Sequence, residues 1–157
     1  MSNLYDRNNI FFPDDSEYLE MLGAIQYAVN YCTYNAFLLL KKVSNDDKIE
    51  FFHYNADTML DAFVKLNKDG KYADVVTTLG EIIFRRNAIY YSQTVSATDK
   101  NIEIHSSNRQ ILWYYDSVTG DEIYITRAFL IDFLDYISRS IRKFNSLISD
   151  KTPKMLN

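Results

Sequence analysis

At 157 residues, with a net charge of -4, 47% hydrophobic residues and only four Gly and two Pro, the chain has the make-up of one packed domain. Folding at that length buries roughly 70% of the unfolded surface, and the composition excludes a linker or a disordered tail. The single cysteine, Cys32, excludes an internal disulfide or a thiol cluster for a metal and fits a reducing compartment.

No apolar run approaches the ~20 residues that a membrane helix needs, and Met1 to Arg7 lacks the basic-then-apolar pattern of a secretory signal. A cytoplasmic protein with no membrane partner is therefore expected. Thirteen Tyr, ten Phe and one Trp make up 15% of the chain, and tyrosine is equally at home in a core or at an interface. Charge is unevenly placed: residues 1–62 hold ten acids against four Lys/Arg, and residues 63–157 hold eleven against thirteen.

In chain order, residues 1–13 read as an irregular arm punctuated by Pro13. Asp14, Asp15 and Glu17 form a helix start in the manner of a capping box. Leu19, Leu22, Ile25, Val29 and Cys32 then follow helical spacing. The register weakens at Tyr31 to Asn35. Ala36 to Val43, the polar cluster Ser44 to Asp47, and Lys48 to Tyr54 read as a hairpin, against a competing reading in which the first helix continues to Lys42.

Asn55 caps a second helix over Ala56 to Leu66, striped by Met59, Leu60, Phe63 and Leu66 and stopped by Asn67 to Gly70. A third helix carries Tyr72, Val75, Val76, Leu79, Ile82 and Ile83 through Gly80 and ends near Arg85-Arg86-Asn87. An antiparallel meander follows, with strands over Ala88 to Val95, Ile102 to His105, Gln110 to Tyr115 and Glu122 to Thr126. Thr126 caps the last helix, in which Leu130, Phe133, Leu134, Ile137, Ile141, Phe144 and Ile148 keep a strict three-four spacing. Residues 150–157 form a frayed tail.

The whole reads as a single α+β domain over residues 1–157. A hairpin and a meander form an antiparallel sheet, with about four helices laid on it as a single layer on one side. This order is similar to that of the secretion-chaperone type of α+β fold, a likeness of element order alone, which carries no function.

No cofactor motif is present. The four glycines are isolated, so no glycine-rich phosphate loop exists, and His53 and His105 lack partners at metal-ligand spacing. Paired acids such as Asp121 and Glu122 sit at turns, where a carboxyl lacks the burial that would raise its pKa for general-acid work. Cys32, among apolar neighbours, reads as a small hydrophobe.

What remains is surface. Tyr90, Tyr91, Trp113, Tyr115 and Tyr124 are candidates for a protein interface, because neighbouring aromatics on a strand must point to opposite faces and one of them is left off the core. The expected function is thus a non-enzymatic protein-binding module of inhibitor, immunity or adaptor type, and the Asn/Ile/Lys/Tyr-rich usage would suit a phage or other mobile element. The broad apolar stripe of the last helix offers a route to a homo-oligomer. One alternative is a nucleic-acid-associated protein using Arg85, Arg86, Arg139, Arg142 and Lys143, disfavoured by the acidic balance. Another is an enzyme whose site is assembled from scattered residues.

Overall fold

A computed structural model describes residues 16–46, 48–96 and 110–150. In chain order its elements are α1 (Ser16–Ser44), a 3-10 turn (Phe51–His53), α2 (Ala56–Leu66), α3 (Ala73–Tyr90), β1 (Gln93–Ser96), β2 (Gln110–Tyr115), β3 (Glu122–Ile125) and α4 (Arg127–Ser149). This is an α+β fold with an antiparallel sheet, the class expected. The arm over residues 1–13, the caps Asp14 and Asp15, Asp47, the strand over Ile102 to His105 and the tail beyond Asp150 lie outside the described residues.

The hairpin over Ala36 to Tyr54 is not formed; α1 runs through its first half as one helix of 29 residues, about 43 Å long. The polar residues that weaken the register are satisfied within the helix. Thr33 Oγ1 donates to the Val29 carbonyl at 2.9 Å, and Asn35 Nδ2 donates to that of Tyr31 at 2.8 Å, so both are buried at little cost. The polar cluster that reads as a hairpin turn is a helix stop. Asn45 has a φ of 53°, the left-handed conformation that ends helices, and Lys41 and Lys42 occupy the last turn. Without the hairpin, the likeness of element order to secretion chaperones is lost.

The strand expected over Ala88 to Val95 is also corrected: α3 continues to Tyr90 and β1 begins only at Gln93. Ala88 is buried on the helix face. The Tyr91 N–H still donates to the Asn87 carbonyl, at 2.9 Å, and Ser92 closes the end through its hydroxyl on the Ile89 carbonyl, at 2.5 Å. Elsewhere sequence cues and structure coincide. Asn55 and Thr58 exchange bonds between each one's backbone N–H and the other's side chain, at 2.8 and 2.9 Å. Thr126 Oγ1 accepts the Phe129 N–H at 3.1 Å.

The chain divides into two compact units, one comprising Met1–Gln26 and Phe84–Leu134, the other Tyr27–Ile83 and Asp135–Asn157. The first holds the sheet, ordered β1-β2-β3 with both pairings antiparallel. Its buried residues include Tyr18, Ile25, Ala88, Ile111, Ile125, Leu130 and Phe133. The turn from β2 to β3 is built by Asp116, whose carboxylate accepts the Val118 and Thr119 N–H groups at 2.9 and 3.3 Å. Gly120 supplies the positive φ, 79°, that the chain needs to reverse there.

Tyr18 of α1 reaches into this sheet. Its hydroxyl donates to the Ile125 carbonyl at 2.6 Å and accepts the Leu112 N–H at 3.3 Å, so a side chain bridges the paired residues Leu112 and Ile125. The second unit is helical, with Cys32, Ala36, Leu39, Met59, Phe63, Leu79 and Phe144 among its buried residues. Within it Phe37 packs on Phe51 and Tyr54 at ring distances of 5.5 and 6.0 Å. The aromatics expected on hairpin strands thus meet between a helix and a 3-10 turn.

Candidate functional site

Strand alternation and register decide which side chains of the sheet share a face. Trp113 is opposite Tyr124 and Tyr115 is opposite Glu122, so these four lie on one face. The Trp113 and Tyr115 rings stack at 6.1 Å with 27° between planes, and the Tyr124 hydroxyl donates to a Glu122 carboxylate oxygen. That bond pushes the Tyr124 phenol's pKa up, because ionising it would set a second negative charge against Glu122. Tyr115 keeps 49% of its surface in solvent.

Tyr90 and Tyr91 form a separate pair at the end of α3. Their rings meet edge-on at 5.1 Å and are 75% and 64% exposed. Of the five residues proposed for an interface, the structure therefore groups Trp113, Tyr115 and Tyr124 on the sheet and places Tyr90 and Tyr91 at the junction leading into it.

The five basic residues of the nucleic-acid alternative fall in two different units. In the first, Arg85 is ion-paired with Asp132 at 2.8 Å, and the Arg86 guanidinium holds the Asn87 side-chain carbonyl at 2.7 and 3.1 Å. In the second, Arg139 faces Asp135 at 3.4 Å, Lys143 pairs with Asp74, and Arg142 is exposed. Three of the five, Arg85, Arg139 and Lys143, are thus paired with the chain's own carboxylates, which lowers the charge they offer to phosphate, while Arg86 is held by a neutral amide.

The chain matches no protein family, curated protein or solved structure. Among the described residues no group of three or more His, Cys, Asp or Glu is arranged to hold a metal ion. Exposed His53 packs on Phe52 at 4.2 Å. Cys32 is 1% exposed and burial pushes its thiol up to about 12, far from the thiolate a nucleophile needs. Among the described residues no helix is long and apolar enough to cross a membrane.

One aromatic surface escaped the sequence reading. Tyr27, Tyr31 and Tyr34 of α1 are 76%, 49% and 41% exposed, and Phe52, in the same unit, is 76% exposed. Their spacing of four and three places the tyrosines along one side of the helix. The spacing is visible in the sequence, but polar Thr33 and Asn35 interrupt the apolar pattern around it. The second unit also has an open depression of about 470 Å³ floored by Leu40, Ile49 and Leu66 and edged by Asp46, Asp61 and Lys65.

Proposed function

We propose that the chain is a non-enzymatic protein-binding module whose working surface is the aromatic face of the sheet formed by Trp113, Tyr115 and Tyr124, flanked by Tyr90 and Tyr91. The observation that carries this reading is the stacked Trp113–Tyr115 pair with Tyr115 half in solvent. Rigid rings held by a sheet lose little entropy on docking, and Tyr and Trp are the residues that concentrate binding energy at interfaces. An inhibitor, immunity or adaptor role acts through such a surface without needing converging ionisable groups.

The test is quantitative capture from the source cell with wild-type chain and with Tyr115→Ser, followed by reconstitution with the purified partner. Partners lost on substitution and recovered in the reconstituted complex support the reading. Equal capture by both chains removes the sheet face from consideration. Tight, salt-dependent binding of a single-stranded oligonucleotide, abolished by Arg86→Glu, would replace the reading with the nucleic-acid one.

A further inference from the structure

Among the described residues, the hydrogen bonding of β3 leaves one side of that strand open. In an antiparallel ladder the main-chain groups of alternate residues point to opposite edges. The Asp116 N–H bonds the Asp121 carbonyl at 2.9 Å, and Leu112 and Tyr114 are opposite Ile125 and Ile123, so residues 121, 123 and 125 turn their groups toward β2. Those of Glu122 and Tyr124 turn away from it. The Tyr124 carbonyl accepts the Thr126 N–H at 2.9 Å. The Glu122 N–H, the Glu122 carbonyl and the Tyr124 N–H bond nothing among the described residues, and β3 is an edge of the sheet.

The side chains of those same two residues share the face of Trp113 and Tyr115. A fourth antiparallel strand added at this edge would place one residue directly opposite Glu122 and another, two positions away, opposite Tyr124. The first would meet an exposed carboxylate and the second a tyrosine ring beside Trp113, and both environments suit a cation. Asp121, also exposed at the start of β3, adds negative charge. At the other end Arg127 is ion-paired with Glu17, which offsets its positive charge.

The geometry points to strand addition at the outer edge of β3 by an extended partner segment that carries Lys or Arg at alternate positions, with the basic side chains over the Glu122–Tyr124–Trp113 face. This rests on the sheet as the protein-binding surface and adds the binding mode and the chemistry of the partner.

The probe is an acetylated ten-residue peptide of alternating lysine and valine, with two controls, one N-methylated at the lysine amides and one at the valine amides. Because each residue's N–H and side chain share a parity, lysines over the aromatic face require lysine amides against β3. Binding should protect the Glu122 and Tyr124 amides from exchange about tenfold or more and leave those of Ile123 and Ile125 unchanged. Lysine N-methylation should weaken binding about tenfold, because it removes the donor to the Glu122 carbonyl and sets a methyl group against the β3 edge, whereas valine N-methylation should leave it intact. Glu122→Lys, at an exposed position, should lose the lysine peptide and accept one of alternating glutamate and valine.

Equal weakening by both N-methylated peptides overturns the proposal, as does unchanged affinity for the lysine peptide in Glu122→Lys. Self-association through the Glu122 and Tyr124 amides in sedimentation and exchange experiments would assign the edge to a second copy of the chain and overturn it too. Peptide contacts confined to the Trp113 and Tyr115 rings would overturn strand addition while leaving the protein-binding surface standing. Loss of that surface is read separately, from equal partner capture by wild type and Tyr115→Ser.

Discussion

Tyr18 is a buried hydroxyl placed where a sheet would ordinarily use its own backbone. It is 3% exposed, and it both donates to Ile125 and accepts from Leu112. Removing only the oxygen would leave a part-buried N–H and the carbonyl of a buried residue facing each other across the space it filled. Tyr18→Phe should therefore lower stability by about 1 to 3 kcal/mol, seen as a lower urea midpoint at unchanged slope. Burial pushes the same phenol up to about 12 from 10.0, with the Leu112 N–H pulling the other way. The folded state thus holds its proton more tightly than the unfolded chain does. This contribution is complete below pH 10 and is lost as pH rises through 12, at most about 3 kcal/mol in all. Cys32, raised from 9.0 to about 12 by burial, acts with the same sign from pH 9 upward. A plot of urea midpoint against pH should fall over this range, and less steeply in Tyr18→Phe.

Among the elements, those recognised in the sequence are those whose ends carry their own chemistry. The Asn55 box, the Thr126 cap and the Asp116–Gly120 turn each bond their own backbone, so short-range cues are enough to place α2, α4 and the β2–β3 connection. The misread stretches are those where tertiary burial overrides local preference. Thr33 and Asn35 look like helix breakers until their bonds to the preceding turn are seen, and the β-branched and aromatic run after Asn87 is strand-like in composition although Ala88 anchors it on a helix face. The candidate surface was legible in part. That Trp113 and Tyr115 share a face follows from strand period alone, whereas the addition of Tyr124 to it and the outward groups of β3 required the register. Helix ends also hold one another. Lys42 Nζ donates to the carbonyls of Leu147, Ile148 and Asp150 at 2.8, 2.8 and 2.6 Å, capping the end of α4. Lys42→Met keeps the apolar stem and removes the charge-assisted bonds. It should cost about 1 to 2 kcal/mol by chemical unfolding, with the loss reduced at high salt.

For the whole molecule the governing quantity is charge. Ion pairs such as Arg85–Asp132, Arg127–Glu17 and Lys143–Asp74 neutralise much of what the sequence offers, and the net charge of -4 corresponds to a pI near 5.1. Mutual repulsion between copies should vanish close to that pH while exposed rings such as Tyr27, Phe52 and Tyr90 remain. Light scattering against pH should accordingly rise to a maximum near pH 5 and fall again at neutrality.

The bridge made by Tyr18 joins positions 107 residues apart. During synthesis the tyrosine leaves the ribosome first, and at about 5 to 20 residues per second its acceptor follows roughly 5 to 20 seconds later. For that interval the hydroxyl has only water to bond. The last rung between β2 and β3 therefore cannot close on a growing chain until Ile125 itself has emerged, and a ribosome stalled before Ile125 would carry the first helix without the bond that ties it to the sheet.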